Sequence, residues 1–519
     1  MKRSIRFVNR AVAVAFCVTL ICLSGSQNRA EAIDRQNQKD LGVQLPENPP
    51  METIFEQPPE PGTVEKNFEI REGFTLIETL YAFRAAIKKD GQKIRMKPGI
   101  YRADTVDEPV IAPILRAKPD QNGKLPVNHQ EHIFAVNGSS NYFDLRGVVF
   151  ETPVSVQSKL TAKTHVSDSW HINGAGNTFE GGYFRNVTDL PYPQYRVTES
   201  EFEICNDNNT FLNCTFVIKG SVPYGYSDFY GKGAKNFGRL NKHSFMSIFH
   251  ANNTRLIGCR VYMQSFGHCV HFHTVDGVLI KDCYFTGVLR PTNDIFKEQA
   301  GRARDYGFKI MFRGERPIPR DEMIPLTEDG VRSYDDVKNV TVLNTTVKRL
   351  RGCFQLLCTG DVTLENVTVL EAGDFGYDIS AGSLGKVVMK NCRADIAYNP
   401  LFNLTRGEMP RNAFYEVTIL SPDEKVKPTG RTSLGTICGE DCTFLLHDGT
   451  KRPLPKEINF LHCGGTKGLV NSTVINYTAA KLILNDRVKN CVIRSFGDVE
   501  DHGKQNTVIR ISAQPKRPE

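Results

Sequence analysis

The sequence lacks an apolar run long enough to cross a bilayer. Its main one, Ala11 to Leu23, falls short of the ~20 residues that a spanning helix needs. Lys2, Arg3, Arg6 and Arg10 precede it, and Ala30-Glu31-Ala32 offers a small-x-small cleavage site after it. Residues 1–32 therefore read as a secretory signal peptide. The sequence also lacks a dominant charge. Without residues 1–32, the 65 Lys/Arg and 58 Asp/Glu become 60 and 57, about +3. So small a balance excludes nucleic acid as a default partner. The expected product is exported (periplasmic, cell-surface or extracellular) and has no membrane span once the signal is removed.

Cysteine is not scarce. Of 14, Cys17 and Cys22 fall in the signal and twelve remain. An exported chain permits disulfides, and Cys438 and Cys442 are spaced to close a tight loop. Residues 33–70 are rich in Pro, Gln and Glu and read as an extended linker or arm. Leu76, Leu80, Phe83 and Ile87 then fall on one helical stripe, with Gly91 as a stop. Ile94 and Met96 alternate as a strand before the turn at Pro98-Gly99.

From about residue 140 a unit repeats: a turn-forming Asn, Asp or Gly, a short β run, a polar pair, a small residue, and a second β run. The small position runs Cys214, Cys259, Cys283, Thr345, Val367, Cys392 and Cys491, with uninterrupted steps of 24, 22 and 25 residues. Such a unit predicts a parallel β-solenoid, in which equivalent positions stack into an internal ladder. In that ladder a hydroxyl in place of Cys283 is expected to lack a partner. A β-propeller needs about 40–45 residues per blade, longer than this period.

The helix, the segment Ile94-Arg-Met-Lys-Pro98-Gly99-Ile-Tyr101 and the coils together resemble the right-handed parallel β-helix superfamily of pectate lyases, polygalacturonases and alginate epimerases. The resemblance covers roughly residues 70–500. It implies an all-β fold: one solenoid domain over 71–500 with an N-terminal capping helix and loop insertions at 219–242 and 286–338, then a tail at 501–519. It also implies a protein that binds or cleaves long glycans along one solenoid face. The paired aspartates of polygalacturonases are not found. No cofactor is assigned; calcium stays open, without a site for it in the sequence.

The sharpest chemical signal is in Gly267-His-Cys-Val-His-Phe-His273. Val270 and Phe272 alternate with His271 and His273, so period-2 geometry sends both imidazoles to the face opposite the core. They suit a general base near neutral pH. As metal ligands they lack an identifiable third partner. His268 has the opposite parity and reads as a core histidine.

The insertion that follows carries Asp294, Arg302, Arg304, Asp305, Tyr306, Lys309 and Arg313. Residues 281–320 hold nine Lys/Arg against five Asp/Glu. Arg302 and Arg313 suit binding of an acidic sugar. Arg304 and Lys309 suit its catalysis, and Tyr306 could supply an acid. The loop aromatics Tyr224, Tyr226 and Tyr230 suit sugar stacking. The preferred expectation is a lyase on a uronic-acid-containing polysaccharide. The alternatives are a glycoside hydrolase using Asp294 and Asp305, which needs carboxylates about 5–9.5 Å apart, and a non-catalytic glycan-binding solenoid.

Overall fold

The computed structural model describes residues 53–62, 68–103, 121, 132–158, 168–189, 199–230, 241–311, 314–382, 385–398, 400–423 and 433–512. The signal peptide expected at 1–32 and Arg313 lie outside them. Nearly all regular structure is parallel strand, and each strand pairs with its equivalents one coil before and one coil after. Ser200–Ile204, for instance, lies between Asp168–Ile172 and Ser244–Phe249. Thr210–Leu212 lies between Thr178–Glu180 and Thr254–Ile257. Thr215–Lys219 lies between Tyr183–Val187 and Arg260–Gln264. Three parallel sheets thus wrap one core in a right-handed parallel β-helix.

The corner between the second and third sheets explains the repeat. The residue before each ladder position has a left-handed backbone: Asn213, Gly258, Asp282, Asn344, Asn366, Asn391 and Asn490 all have φ between 47° and 65°. Asn, Asp and Gly tolerate this conformation best. On the outside, Asn344 donates to Asp282, Asn366 to Asn344 and Asn391 to Asn366 at 2.7–2.9 Å. On the inside, Cys214, Cys259, Cys283, Thr345, Val367, Cys392 and Cys491 are buried as a column. All twelve cysteines from Cys205 to Cys491 are free thiols. The loop closure expected of Cys438 and Cys442 is not made, because each Sγ donates instead to a carbonyl, of Leu404 and Pro410 respectively.

The ladder corrects a second expectation. Thr345 and Ser472 sit at ladder positions, and their hydroxyls donate to the carbonyls of Leu343 and Val470 at 2.8 and 2.7 Å. Cys283 Sγ makes the same contact to Lys281 at 3.2 Å. A hydroxyl at 283 therefore has a partner.

The helix spans Leu80–Ala86, a turn shorter than its apolar stripe, because Leu76 belongs to the strand Thr75–Ile77. Thr79 caps it by accepting from the Ala82 amide at 3.1 Å. Phe83 is fully buried, with its ring 5.3–6.4 Å from Phe134, Phe143, Phe150 and Trp170. The helix thereby plugs the first coils. Along the core the rings of Phe150, Phe184 and Phe216 stack at 5.3 and 5.1 Å. That spacing follows the inter-strand distance of about 4.8 Å.

Residues 53–62, part of the expected arm, lie on the solenoid. Ile54 bridges Leu289, Tyr284 donates to Glu56 and Tyr183 to the Pro59 carbonyl. At the other end Thr507–Arg510 still pairs with Val492–Ser495, so the solenoid runs past the expected start of the tail at 501. No helix among the described residues is long and apolar enough to cross a membrane.

Candidate functional site

Both insertions leave the third sheet and re-enter the first at the same corner. They share a small core of their own: Tyr226, Phe229, Tyr230, Ile295, Ala303, Ile310 and Ile318. The tyrosines expected to stack on sugars are therefore structural. Tyr226 and Tyr230 are buried, the Tyr224 hydroxyl is buried, and Tyr226 donates to Glu298 at 2.6 Å. Tyr306 is half-buried with its ring 5.4 Å from Tyr230, which makes it part of the same packing.

The expected charged residues of the insertion do not converge. Arg304 is exposed and donates to Gln299 at 3.4 Å; exposed Lys309 pairs with Glu315 at 3.1 Å. Asp294 is held by Lys297 at 2.7 Å, and Asp305 is exposed on the short helix Arg302–Asp305. Arg302 is half-buried on that helix. The apolar residues between these charges won the interior, which turned the charges outward.

The excursion also ends earlier than residue 338. Val331–Leu343 is already strand, and its first half pairs with the histidine strand: His271 opposite Arg332, His273 opposite Tyr334. One outward row therefore runs His171, Glu203, Ser247, His271, Arg332, Gln355 and Asp378 over successive coils. Asn403, Thr436 and His462 continue it.

The candidate site lies at His271 on this row. Gly267 makes it possible: a Cβ there would lie 2.4 Å from the His243 carbonyl, so only glycine lets the coils approach. His268, expected to be a satisfied core residue, is buried but faces this site. Its Nε2 lies 2.8 Å from the Tyr334 hydroxyl and 3.3 Å from Glu328, and its Nδ1 lies 3.6 Å from Asp329. His271 is half-buried, its ring 5.4 Å from both His268 and His273. Its Nδ1 is buried without a hydrogen-bond partner among the described residues. His273 stacks on Tyr334 at 4.8 Å and 8°, and touches Asp335 at 3.2 Å.

Glu328 and Asp329 are the last acidic residues before the chain re-enters the sheet. Lys242, from the end of the first insertion, binds Glu328. Arg332 and Arg351 bind Asp329 at 2.7 and 3.3 Å, and Arg351 also reaches Glu328 at 3.4 Å. Burial works against ionising these two carboxyls. The cationic and imidazole neighbours outweigh it and hold both well below the ordinary range. With the carboxylates so occupied, burial dominates at the imidazoles. It pushes His268 down to about 3, and burial, with His268 and His273 adjacent, holds His271 well below its ordinary value. Burial likewise raises Tyr334. The site presents neutral imidazoles and a protonated phenol beside a fixed cation.

Further along the row Gln355 donates to Asp378 at 2.8 Å, and burial pushes the Asp378 carboxyl up to about 6. Calcium does not fit the His271 site: it takes six to eight oxygen ligands, and Glu328 and Asp329 are already spent on Lys and Arg.

Sequence reasoning missed Lys242, Glu328, Asp329, Arg332, Tyr334 and Arg351. One signal was available. Cys283 and Thr345 are equivalent ladder positions 62 residues apart, and the adjoining strands keep that offset, Tyr284 opposite Thr346. Carried back toward His271 and His273, it leads to the neighbourhood of Arg332 and Tyr334.

No family model matches the chain, and no curated protein matches it. Solved structures similar to it include a Yersinia enterocolitica family 28 exopolygalacturonase, at 12% identity and TM-score 0.36 over 86% of this chain and 77% of that one. A PL6 alginate lyase in complex with a trisaccharide has 9% identity and TM-score 0.38, covering 86% and 87%. The Streptococcus pneumoniae surface adhesin PfbA has 12% identity and TM-score 0.31, covering 83% and 92%.

Proposed function

We propose that the protein is an exported enzyme that cleaves a uronic-acid-containing polysaccharide by β-elimination, at the outward row around His271. The observation that carries this reading is the half-buried His271 imidazole, its ring 6.3 Å from that of Tyr334, whose hydroxyl lies 2.8 Å from His268. Elimination requires a base for the C5 proton, an acid for the leaving oxygen and a cation facing the sugar carboxylate. His271 is the base in this reading, Tyr334 the acid and Arg332 the cation. Glu203, His271 and Arg332 are partly exposed members of the row and would meet the chain.

A second reading is supported by Asp378. Burial raises its carboxyl to about 6, the direction a hydrolase's acid needs, but at 1% exposure it would have to be uncovered before it could donate to a glycosidic oxygen. Glu328 and Asp329, held ionised by their cations, are unsuited to that role.

Incubation with a panel of acidic glycans separates the readings. Elimination gives ultraviolet absorbance of an unsaturated uronide; hydrolysis gives reducing ends without it. Binding with neither product would leave a glycan-binding solenoid. For the lyase, His271→Ala is expected to lose about 10²-fold or more in turnover with its β-rich circular dichroism unchanged. Wild-type turnover in that variant would end the assignment.

A further inference from the structure

The outward row carries a second histidine cluster, several strands upstream of His271. His171 and Glu203 occupy adjacent rungs of the row. Asp168 begins the same strand as His171, and its side chain is fully buried. His132 precedes the strand Phe134–Val136, one coil earlier. Its Nδ1 is 2.5 Å from Asp168 Oδ1. His171 Nδ1 is 2.9 Å from Asp168 Oδ2 and 3.7 Å from Glu203 Oε2. The two imidazoles stack at 4.2 Å and 15°. Cys205, a half-buried free thiol two residues after Glu203, lies within 4.8 Å of the His171 and Glu203 ligand atoms.

We propose that His132, Asp168 and His171 bind one borderline transition-metal ion of the zinc type, with the Glu203 carboxylate beside His171 supporting the site. Three observations support it. First, the two Nδ1 atoms and a carboxylate oxygen of Asp168 lie within 4.8 Å of one another, brought together from two successive coils. Second, bonds of 2.0–2.1 Å at tetrahedral angles place neighbouring ligands roughly 3.3 Å apart, and His171 Nδ1 has carboxylate oxygens at 2.9 and 3.7 Å, on either side of that value. Third, the donor set mixes imidazole and carboxylate, with the Cys205 thiol close by. That composition suits zinc or cobalt and does not suit calcium or magnesium. His171 and His271 are three rungs apart, about 14 Å at the inter-strand spacing. The ion is therefore separate from the proposed cleavage site. It ties together the coils next to the capping helix.

The test uses the full mature chain, stripped with a chelator and titrated with Zn²⁺, and with Co²⁺ as a spectroscopic probe. One ion per chain is expected, with visible Co²⁺ bands that Zn²⁺ removes and a melting temperature that rises with Zn²⁺. His171→Ala and Glu203→Gln should each weaken Zn²⁺ affinity at least about tenfold. Glu203 is partly exposed, so its variant decides the matter if His171→Ala fails to fold. Absence of Zn²⁺ binding at micromolar concentrations, or an affinity unchanged in every folded variant, would overturn the proposal and leave Asp168 as a plain ion-pair partner of two imidazoles.

Discussion

The two histidine clusters lie on one face of one sheet, yet His171 in one and His268 and His271 in the other are pushed in opposite directions. At the upstream cluster burial opposes charge on His171, but donation from its ring to the Asp168 and Glu203 carboxylates overcomes it and raises that imidazole to about 9. Asp168, bonded to His132 and His171, is correspondingly held down to about 2 despite its burial. At the downstream cluster two buried carboxylates are also present, and burial wins at both imidazoles. The difference is what else the carboxylates hold. Asp168 is bonded to imidazoles at 2.5 and 2.9 Å. Glu328 and Asp329 are bonded to Lys242, Arg332 and Arg351, and His268 is left at 3.3–3.6 Å. A nearby carboxylate therefore does not charge a histidine when a stronger cation has claimed it. Without a metal ion the upstream cluster holds positive charge, which a bound ion would replace; the downstream cluster offers neutral imidazoles.

The comparison breaks most sharply at Asp329. It is 1% exposed and accepts from Arg332, Arg351 and the Gly352 amide. Asp329→Ala leaves buried cations uncompensated, and a loss of about 3–5 kcal/mol is expected, the scale for breaking a buried pair. Chemical denaturation measures it. A loss below 1 kcal/mol would mean that the clamp does not order this end of the sheet.

Tyr334→Phe tests the neutral cluster without disturbing the clamp. The ring can still stack on His273, and only the hydroxyl beside His268 is lost. On an acidic glycan that the wild type cleaves, turnover should fall about 10²-fold, with KM little changed. An equal fall from Tyr334→Phe and from His273→Ala would point to packing rather than to proton transfer.

The protonation states predict a pH dependence. His268 is lowered from 6.5 to about 3, so the folded state binds fewer protons than the unfolded chain between those values. Its contribution to stability is fully present above about pH 6.5 and is lost as pH falls toward 3. The melting temperature should fall with acid across that window, and less steeply in His268→Gln. Turnover that depends on a neutral His271 should show no acid limb near 6.5. A limb there that vanished in His271→Ala would reverse the assignment of burial as the dominant influence.

The coils were legible in the sequence because a solenoid repeats one local rule. A left-handed Asn, Asp or Gly must precede each small core residue, and that pair marks Asn213-Cys214, Asp282-Cys283 and Asn391-Cys392 without knowledge of anything distant. His271 and His273 were legible for the same reason, since strand alternation is local. Their partners were not. Glu328, Asp329, Arg332 and Tyr334 reach them across an insertion whose length hides the coil offset. The charged residues of that insertion were misleading: its apolar content, Ile295, Ile310 and Ile318 with Tyr226 and Tyr230, folds it around a core of its own. The upstream cluster escaped notice because His132, His171 and Glu203 meet only when consecutive coils stack.

The core supplies the smallest expected effect and a control for both clusters. Cys283→Ser replaces a thiol that contacts the Lys281 carbonyl at 3.2 Å. Thr345, one coil on, shows how a hydroxyl is satisfied there, donating to Leu343 at 2.8 Å while fully buried. Exchanging Sγ for Oγ loses some contact but leaves no donor orphaned, so the cost should stay within about 1 kcal/mol. Cys283→Ala removes the donor and leaves a small void, and it should cost more than the serine variant. Zn²⁺ affinity and glycan turnover should be unchanged in both. A serine variant less stable than the alanine variant would mean that the hydroxyl does not find the Lys281 carbonyl.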